Sequence, residues 1–395
     1  MNDVDPVSPR VPAAIVERMI AARREIHRHP ELSGRERNTA EFISRCLEDL
    51  RIPCRRDVAG GVVADLAGTA EGPLVAIRAD MDALPIEEST GLPFASESAG
   101  AMHACGHDGH CAMVLGALEL LLVEGGPRGP VRAIFQPAEE IATGASAMVE
   151  AGVLEGVDCV FGMHLDPRLP VGTVIVHTGT VNAAADMFVI EVIGRGAHAA
   201  RPQEGVDAVL VGSRIVSALQ SIVSRRMDPA DPVVVTVGRF VAGTAPNVIA
   251  ARAVLEGTIR SQTADLQTSL RQTVSRVARA TAEAHDAQVT VSFHGEIPPV
   301  VNQPAMAELA RRAARRTTAA GHIIPLDRPN MGGEDFARYL ELVPGCYVRL
   351  GARPRGGGEY PAHSGHFDFD EAVLPVGARY LTEVVRESQT GRTTP

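Results

Sequence analysis

The stretch AMHACGHDGH, residues 101–110, constrains this chain more than any other part of its sequence. It places three imidazoles, a thiol and a carboxylate within eight residues. Cys105 and His107 flank a glycine, so both side chains can turn toward one point from a loop. From Asp108 onward, a long apolar run that stops at a glycine pair predicts a helix with Asp108 as its N-cap. We therefore predict a metal site at a loop-to-helix junction, with a small buried thiol as the alternative for Cys105.

Potential metal ligands recur after three short apolar runs that are typical of strands. They are Asp80 and Asp82 after residues 74–78, Glu139 and Glu140 after residues 131–135, and His164 after residues 158–162. Open α/β sheets build their sites at the carboxyl ends of strands, so we expect these side chains to share one edge of a sheet. Taken singly, the aspartates are also compatible with a turn, and the glutamates with a charged helix start.

Two adjacent carboxylates cannot easily point at one atom, so Glu139 and Glu140 can divide the work. One would coordinate a metal ion while its neighbour holds the water molecule that the metal acidifies. Near the C-terminus, His363 and His366 precede a closing helix. We prefer His363 as a further ligand, because His366 could equally face solvent.

The middle of the chain has a different pattern. From Met187 onward it predicts the element order βαββαβ of a ferredoxin-like unit. We expect residues 1–184 and 296–395 to form the two parts of a catalytic domain, with residues 185–295 as an inserted domain. Within the insert, His198 and Asn247 lie in predicted turns, where a plain loop histidine and turn asparagine are equally compatible with the sequence.

Composition excludes several classes of partner. A formal net charge of −10 argues against nucleic acid or an anionic membrane, since binding phosphates needs a basic surface. No apolar run approaches the roughly 18 residues of a transmembrane helix, and the N-terminus lacks a signal-peptide pattern. The six cysteines follow no disulfide framework. We expect a cytoplasmic protein that acts on a small molecule.

Together these residues resemble the metallo-aminoacylase and carboxypeptidase family. The likeness is closest to the amidohydrolase branch, which includes hippurate hydrolases, N-acyl-amino-acid deacylases and plant auxin-conjugate hydrolases. The motifs that carry it are REIHRHPELSGRE, DMDALP, HACGHDGH, FQPAEE, GMH, GRGAHAARP, NVI, GGEDF and HSGHFDFDE, in this order. Peptidase relatives have a metal-binding His in place of Asp80 and an Asp in place of Cys105, which favours the amidohydrolase branch.

The resemblance implies an α/β fold with a large dinuclear-metal catalytic domain, whose mixed sheet is covered by helices. The inserted ferredoxin-like domain would be a lid that also forms a homodimer or a dimer of dimers. The implied ligands of two divalent metal ions are Cys105, His107, Glu140, His164 and His363. The ions would be manganese or zinc, with cobalt or nickel as alternatives.

By the same resemblance, Glu139 would be the general base and Asp82 would orient a metal ligand. His198 would stabilise the oxyanion, reaching the active site of the partner subunit, and Asn247 would contact substrate.

We therefore expect metal-dependent hydrolysis of N-acyl amino acids, hippurate-like or N-acetylated, to a carboxylic acid and a free amino acid. A dipeptidase or carboxypeptidase on the same scaffold is the second hypothesis. The third is a catalytically silent ligand-binding protein, against which the intact Glu139 argues. The sequence leaves open the preferred acyl group and amino acid, and the role of Arg260 as a carboxylate clamp.

Overall fold

The computed structural model describes residues 11–319, 322–355 and 360–390. These residues form two compact units. The first unit consists of the chain up to Val181, Val301–Arg328 and the residues from Asp335 onward, and the second consists of Asn182–Val300 and Pro329–Glu334.

The second unit is larger than the insert predicted from the sequence. Three segments belong to the second unit although the sequence analysis placed them in the catalytic domain. They are residues 182–184, 296–300 and 329–334. Backbone pairing explains the distant segment, because the N–H of Ala183 donates to the carbonyl oxygen of Asn330 at 2.8 Å. No local sequence pattern indicates such a pairing.

The helices and strands follow one another in α/β order. The helices are α1 (Ala13–Arg28), α2 (Arg37–Asp49), α3 (His107–Val123), α4 (Gly144–Glu150), α5 (Ala208–Arg225), α6 (Ala264–Glu283), α7 (Pro304–Thr317), α8 (Ala337–Leu340) and α9 (Val373–Thr390), with a 3₁₀ turn at Pro202–Glu204. The strands are β1 (Cys54–Val58), β2 (Gly61–Leu66), β3 (Val75–Asp80), β4 (Val131–Gln136), β5 (Cys159–Asp166), β6 (Val174–Ile175), β7 (Gly179–Asn182), β8 (Ala184–Ile193), β9 (Ala197–His198), β10 (Val233–Ala242), β11 (Val248–Ile249), β12 (Arg252–Ser261), β13 (Gln288–Ile297), β14 (Val300–Asn302), β15 (Ile323–Ile324) and β16 (Gly345–Gly351).

The first unit is built on an eight-stranded mixed sheet in the order β1-β2-β4-β3-β5-β16-β6-β15. Its middle strands β4, β3, β5 and β16 are parallel, whereas β1 and β2 pair antiparallel at one side. The connection through α3 leads from β3 to β4, and the connection through α4 leads to β5 on the other side of β3. The strand order therefore reverses at β3, where open α/β sheets form a binding crevice at the carboxyl ends. The predicted α/β fold with a mixed sheet is confirmed.

Helices cover this sheet, so its central elements are buried. Every residue of β3 and β16 is buried, as expected for parallel strands that are covered on both faces. Helix α3 contacts α1 and α9 and is buried on nearly all sides. It ends as predicted, because Gly125 and Gly126 have φ of 95° and 87° and the N–H of Gly126 donates to the carbonyl oxygen of Leu121. None of the helices in the described ranges combines the length and the apolar character needed to span a bilayer.

The second unit has its own sheet and core. Its strands pair antiparallel in the order β10-β12-β8-β13 and, with α5 and α6, follow the chain order βαββαβ of a ferredoxin-like fold. Alternate residues of β8, such as Phe188 and Ile190, are fully buried in a core shared with Leu219 and Leu270 of the two helices. Asp207 caps α5 by accepting from the N–H of Val209 at 2.9 Å, which defines where that helix begins.

Candidate metal centre

The carboxyl ends of adjacent parallel strands in the first unit bring the candidate ligands together. Asp82 follows β3, while Glu139 and Glu140 follow β4 in a turn. His164 lies within β5 itself, two residues before that strand ends. Since β4, β3 and β5 are neighbours in the sheet, these side chains start from one edge.

Cys105 and His107 enter from the loop before α3. Gly106 between them has φ of 93°, and a Cβ on it would lie 3.2 Å from Leu165 Cδ1, so the reversal needs a glycine. The helix begins at His107 with Gly106 as its N-cap. The prediction that Asp108 is the N-cap was therefore wrong. Its carboxylate accepts instead from the Arg23 guanidinium at 2.9 Å, because a buried cation is a stronger partner than a helix N–H.

All six residues predicted for the centre and its base lie in one cluster. The potential donor atoms lie within 4.8 Å of one another in three overlapping sets: Cys105, His107 and His164; Cys105, Glu140 and His363; and His107, Glu139 and Glu140. Individual separations are 3.4 Å from Cys105 Sγ to His164 Nε2 and 3.4 Å from His363 Nε2 to Glu140 Oε1. Such a mixture of thiol, imidazole and carboxylate suits divalent transition metals.

Hydrogen bonds orient the two buried imidazoles of the cluster. The Nδ1 of His107 lies 2.9 Å from the carbonyl oxygen of Asp82 and 3.2 Å from its carboxylate, and the Nδ1 of His164 lies 2.7 Å from the carbonyl oxygen of Leu165. Both neighbours are acceptors, so each Nδ1 carries the proton. When either ring is neutral, its Nε2 lone pair therefore points into the cluster, the arrangement of metal-bound histidines.

Unpaired polar atoms at the cluster fit a metal ion. His107 Nε2 and Glu140 Oε1 are both buried, and within the described ranges neither atom has a well-aligned hydrogen bond. Their neighbours are Asp80 Oδ2 at 3.7 Å from His107 Nε2 and His363 Nε2 at 3.4 Å from Glu140 Oε1. Leaving such groups unpaired costs about 1–3 kcal/mol each, more for a charged carboxylate. A divalent cation would satisfy both, so the residues present fit the predicted centre.

Burial also controls protonation in the cluster. It raises the pKa of the Cys105 thiol to about 12, with a smaller contribution from the charge of Glu140. It lowers the pKa of His164 well below the usual range, so that this ring is neutral. Burial acts the same way on His107, but Asp80, Cys105 and Asp82 together outweigh it and raise the pKa of that ring. A metal ion would therefore have to displace protons from Cys105 and His107.

The two C-terminal histidines differ in their surroundings. The N–H of His363 donates to the carbonyl oxygen of Ala104 at 2.8 Å, and the Glu140 carboxylate beside its Nε2 raises the pKa of its ring. His366 instead stacks on Tyr360 with ring centroids 4.9 Å apart, and it belongs to none of the donor sets. The geometry supports the choice of His363 over His366.

A buried ionic network beside the cluster was missed from the sequence. Asp80 lies 2.5 Å from the Arg78 guanidinium and 2.6 Å from His110 Nδ1, and the Arg78 guanidinium also donates to Asp335 at 2.9 Å. The Nε2 of His110 accepts from the N–H of Leu165 at 3.1 Å, which ties α3 to β5. The spacing of His107 and His110 on one helix could have indicated that His110 faces the same strand ends.

A second buried network, which was not predicted from the sequence, involves α1. His27 on this helix is 1% exposed, and its Nδ1 lies 2.9 Å from the Asp108 carboxylate. Burial alone would lower the pKa of His27, but hydrogen bonds with Asp108 and Glu88 outweigh it and raise the pKa to about 9. Met19, Arg23 and His27 follow one another at intervals of four residues, so they lie on the same face of α1. Because Met19 is apolar, this spacing could have indicated that the face is buried.

His198 and Asn247 lie in the second unit. His198 is exposed in β9, paired with Val248 of β11, and the N–H of the adjacent Ala199 donates to the carbonyl oxygen of Asn247 at 3.1 Å. The Nδ1 of His198 accepts from the N–H of Ala200 at 3.1 Å, so in the neutral ring Nε2 carries the proton. The ring is thus arranged to donate a hydrogen bond through Nε2.

The chain is similar to known hydrolases over nearly its whole length. The model of peptidase family M20/M25/M40 matches residues 76–387. The chain is 40% identical over 373 residues to N-acetyl-L-cysteine deacetylase of Bacillus subtilis, covering 94% of this chain and 88% of that protein. It is 38% identical over 367 residues to Thermostable carboxypeptidase 1 of Saccharolobus solfataricus, covering 91% and 92%.

Among solved structures, a dinuclear metal binding peptidase of the M20 family from Bacillus subtilis superposes with a TM-score of 0.82. The two chains are 38% identical, and the match covers 94% of this chain and 98% of the other. Both the family match and the identity to full-length relatives extend across the strands and loops that form the cluster. The chain belongs to peptidase family M20/M25/M40, in its amidohydrolase branch, and is a metal-dependent hydrolase of amide bonds.

Proposed function

We propose that the protein hydrolyses N-acyl amino acids, hippurate-like or N-acetylated, to a carboxylic acid and a free amino acid. The observation that carries the proposal is the convergence of five donor side chains, with the carboxylate of Glu139 beside two of them, His107 and Glu140. The five donors are Cys105, His107, Glu140, His164 and His363. The similarity to a bacterial deacetylase supports this substrate class. We propose that the protein works in the cytoplasm as a homodimer or a dimer of dimers.

The five donors would hold two divalent ions, manganese or zinc, with cobalt or nickel as alternatives. Bound there, the ions would polarise the amide carbonyl and lower the pKa of a water molecule toward 7. Glu139 accepts the proton of the attacking water and passes it to the leaving amine nitrogen. His198 donates its Nε2–H to the carbonyl oxygen as charge develops there, and Asn247 contacts the substrate.

The second unit would act as a lid that excludes water. One of its strands carries Arg260, whose half-buried guanidinium has no ion-pair partner among the residues described. Burial lowers the pKa of this side chain, with no contribution from a nearby charge. We propose that it is available to a substrate carboxylate.

A panel of substrates tests the proposed class. With manganese added, the purified protein should release amino acid from hippurate or an N-acetyl amino acid with a higher kcat/KM than it releases amino acids from dipeptides. Liberated amine, measured by a colorimetric assay, provides the comparison. A preference for dipeptides or for C-terminal residues of peptides would instead support the carboxypeptidase alternative, which the similarity to an archaeal carboxypeptidase favours.

Glu139 and Glu140 should separate chemistry from metal binding. Glu139→Gln removes the proton acceptor and should lower kcat by about 10²–10⁴-fold while both metal ions stay bound. Glu140→Gln, one residue away, should lower the metal content. Activity and metal content measured on the same samples distinguish the two effects, and a Glu139→Gln variant as active as the parent means that another group is the base.

Metal binding should release a proton from Cys105 and become tighter as pH rises. Burial raises the pKa of this thiol to about 12, so below that pH its proton must leave before the sulfur can bind a metal ion. This proton alone makes binding about tenfold tighter per pH unit, and a proton lost from His107 adds to that dependence. Calorimetry of the metal-free protein in two buffers of different ionisation heat gives the proton count.

Two substitutions provide the comparison for that count. Cys105→Asp keeps a ligand that is already deprotonated at neutral pH and should release about one proton fewer. Cys111→Ala removes another buried thiol and should leave the count unchanged. Equal proton release from the parent and Cys105→Asp would argue against Cys105 as a ligand.

His198 should act across a dimer. His198→Ala alone should lower kcat by about 10²–10³-fold, the loss typical of one oxyanion donor. A mixed dimer of His198→Ala and Glu139→Gln subunits, isolated with two affinity tags, should recover about half of the parental activity, because one of its two sites then contains both native groups. If His198 acts within its own chain, the mixed dimer stays as inactive as either variant.

A further inference from the structure

The turn that carries Glu139 and Glu140 has a backbone that needs external support. Ala138 has φ of 53° and Ala142 has φ of 58°, both in the left-handed region that residues with a Cβ seldom adopt. Such residues persist only where the surrounding structure holds them. One such residue lies on each side of the glutamate pair, which indicates that neighbouring groups hold this turn in its conformation.

The turn is tightly closed at its far end. The N–H groups of Thr143 and Gly144 reach the carbonyl oxygen of Ala138 at 3.3 and 3.1 Å. The approach is so close that a Cβ on Gly144 would lie 1.6 Å from the carbonyl oxygen of Pro137. The N–H of Ala142 is also satisfied within the turn, by the carbonyl oxygen of Glu139 at 2.8 Å. The N–H groups of Ala138 and Glu140 are instead bonded from outside the turn.

Glu36 supplies one of the missing partners. Its carboxylate accepts from the N–H of Ala138 at 2.7 Å, across 102 residues of sequence. Glu36 is 3% exposed, so burial raises the pKa of its carboxyl group, while the nearby backbone N–H groups of Glu36, Gly34 and Ala138 act in the opposite direction. A buried carboxylate is stabilised by such N–H groups and cannot move without losing them.

Asp82 supplies the second partner. Its carboxylate accepts from the N–H of Glu140 at 3.0 Å and from the hydroxyl of Ser33 at 2.7 Å. Glu139 therefore lies between two backbone amides, each bonded to a buried carboxylate. Ser33 and Glu36 both belong to the motif HPELSGRE, whose role was not explained by the candidate centre.

We propose that Glu36 is a positioning residue for Glu139: by holding the N–H of Ala138, it keeps the strained turn in the conformation that aims the general base. The inference rests on the proposed role of Glu139. Glu36 contacts neither the donor cluster nor a reacting atom, so its effect falls on turnover more than on binding of substrate or metal.

Three substitutions of Glu36 test this role at saturating manganese, with metal content measured in each sample. Glu36→Ala should lower kcat by about 10²-fold, the loss associated with a misplacement of about 1 Å, while KM changes less than about threefold. Glu36→Asp keeps the carboxylate and changes the side-chain volume less than alanine does. Because the shorter side chain does not reach the N–H of Ala138, this variant should also have a lower kcat. Glu36→Gln keeps an oxygen that accepts from Ala138 and should restore kcat to within about fivefold of the parent.

Glu31→Ala is the matched control, since Glu31 lies in the same segment and accepts from the N–H of Thr39 at 2.8 Å, at the start of α2. It should lower the melting temperature but leave kcat and KM near the parental values. A parental kcat in Glu36→Ala overturns the inference. If the alanine variant does not fold, a parental kcat in Glu36→Asp has the same meaning. A loss of kcat that is fully explained by a loss of bound metal also overturns the inference.

Glu139→Gln, assayed in parallel, separates this inference from the proposed function. A fully active Glu139→Gln overturns the proposed base. An inactive Glu139→Gln together with a fully active Glu36→Ala overturns only the positioning role.

Discussion

The free-energy cost of burying charged groups away from water governs the structure around the cluster of candidate metal ligands. Arg78 is 1% exposed, and it is tolerated because Asp80 and Asp335 accept from its guanidinium at 2.5 and 2.9 Å. The cluster itself is different, because His107 Nε2 and Glu140 Oε1 are buried without a well-aligned hydrogen bond from the described part of the chain. Fixed pairs therefore stabilise the surroundings, while the cluster keeps its own lone pairs directed at a cation.

Much of this arrangement could be predicted from the sequence, because the relevant signals are local. Apolar runs identify the central strands, and the residues that follow β3 and β4 must leave the sheet at the same edge when those strands are parallel. The glycine after Cys105 indicates a loop, and the glycine pair at 125–126 indicates the end of α3. These features predict that the strand-end residues and the Cys105–His107 loop meet at one edge of the sheet, whereas the complete ligand set with His363 came from the family resemblance.

The partners of buried polar groups could not be predicted, because a hydrogen bond across 85 or 102 residues leaves no periodic trace. Asp108 was predicted to cap its own helix, although its carboxylate lies 2.9 Å from His27 Nδ1, 81 residues earlier in the chain. The same reason applies to the segment Pro329–Glu334, which joins the second unit through backbone pairing. Local patterns determine which residues form an element, whereas desolvation decides which distant groups must meet.

Strand order in the large sheet has a consequence for synthesis on the ribosome. Strand β16 lies between β5 and β6 in that sheet, yet it is translated after the whole inserted unit. The insert is nearly continuous in sequence and has its own core, so it can fold while the sheet still has an exposed edge at β5. His363 is translated later still, so the nascent chain has no complete donor set until this residue has emerged.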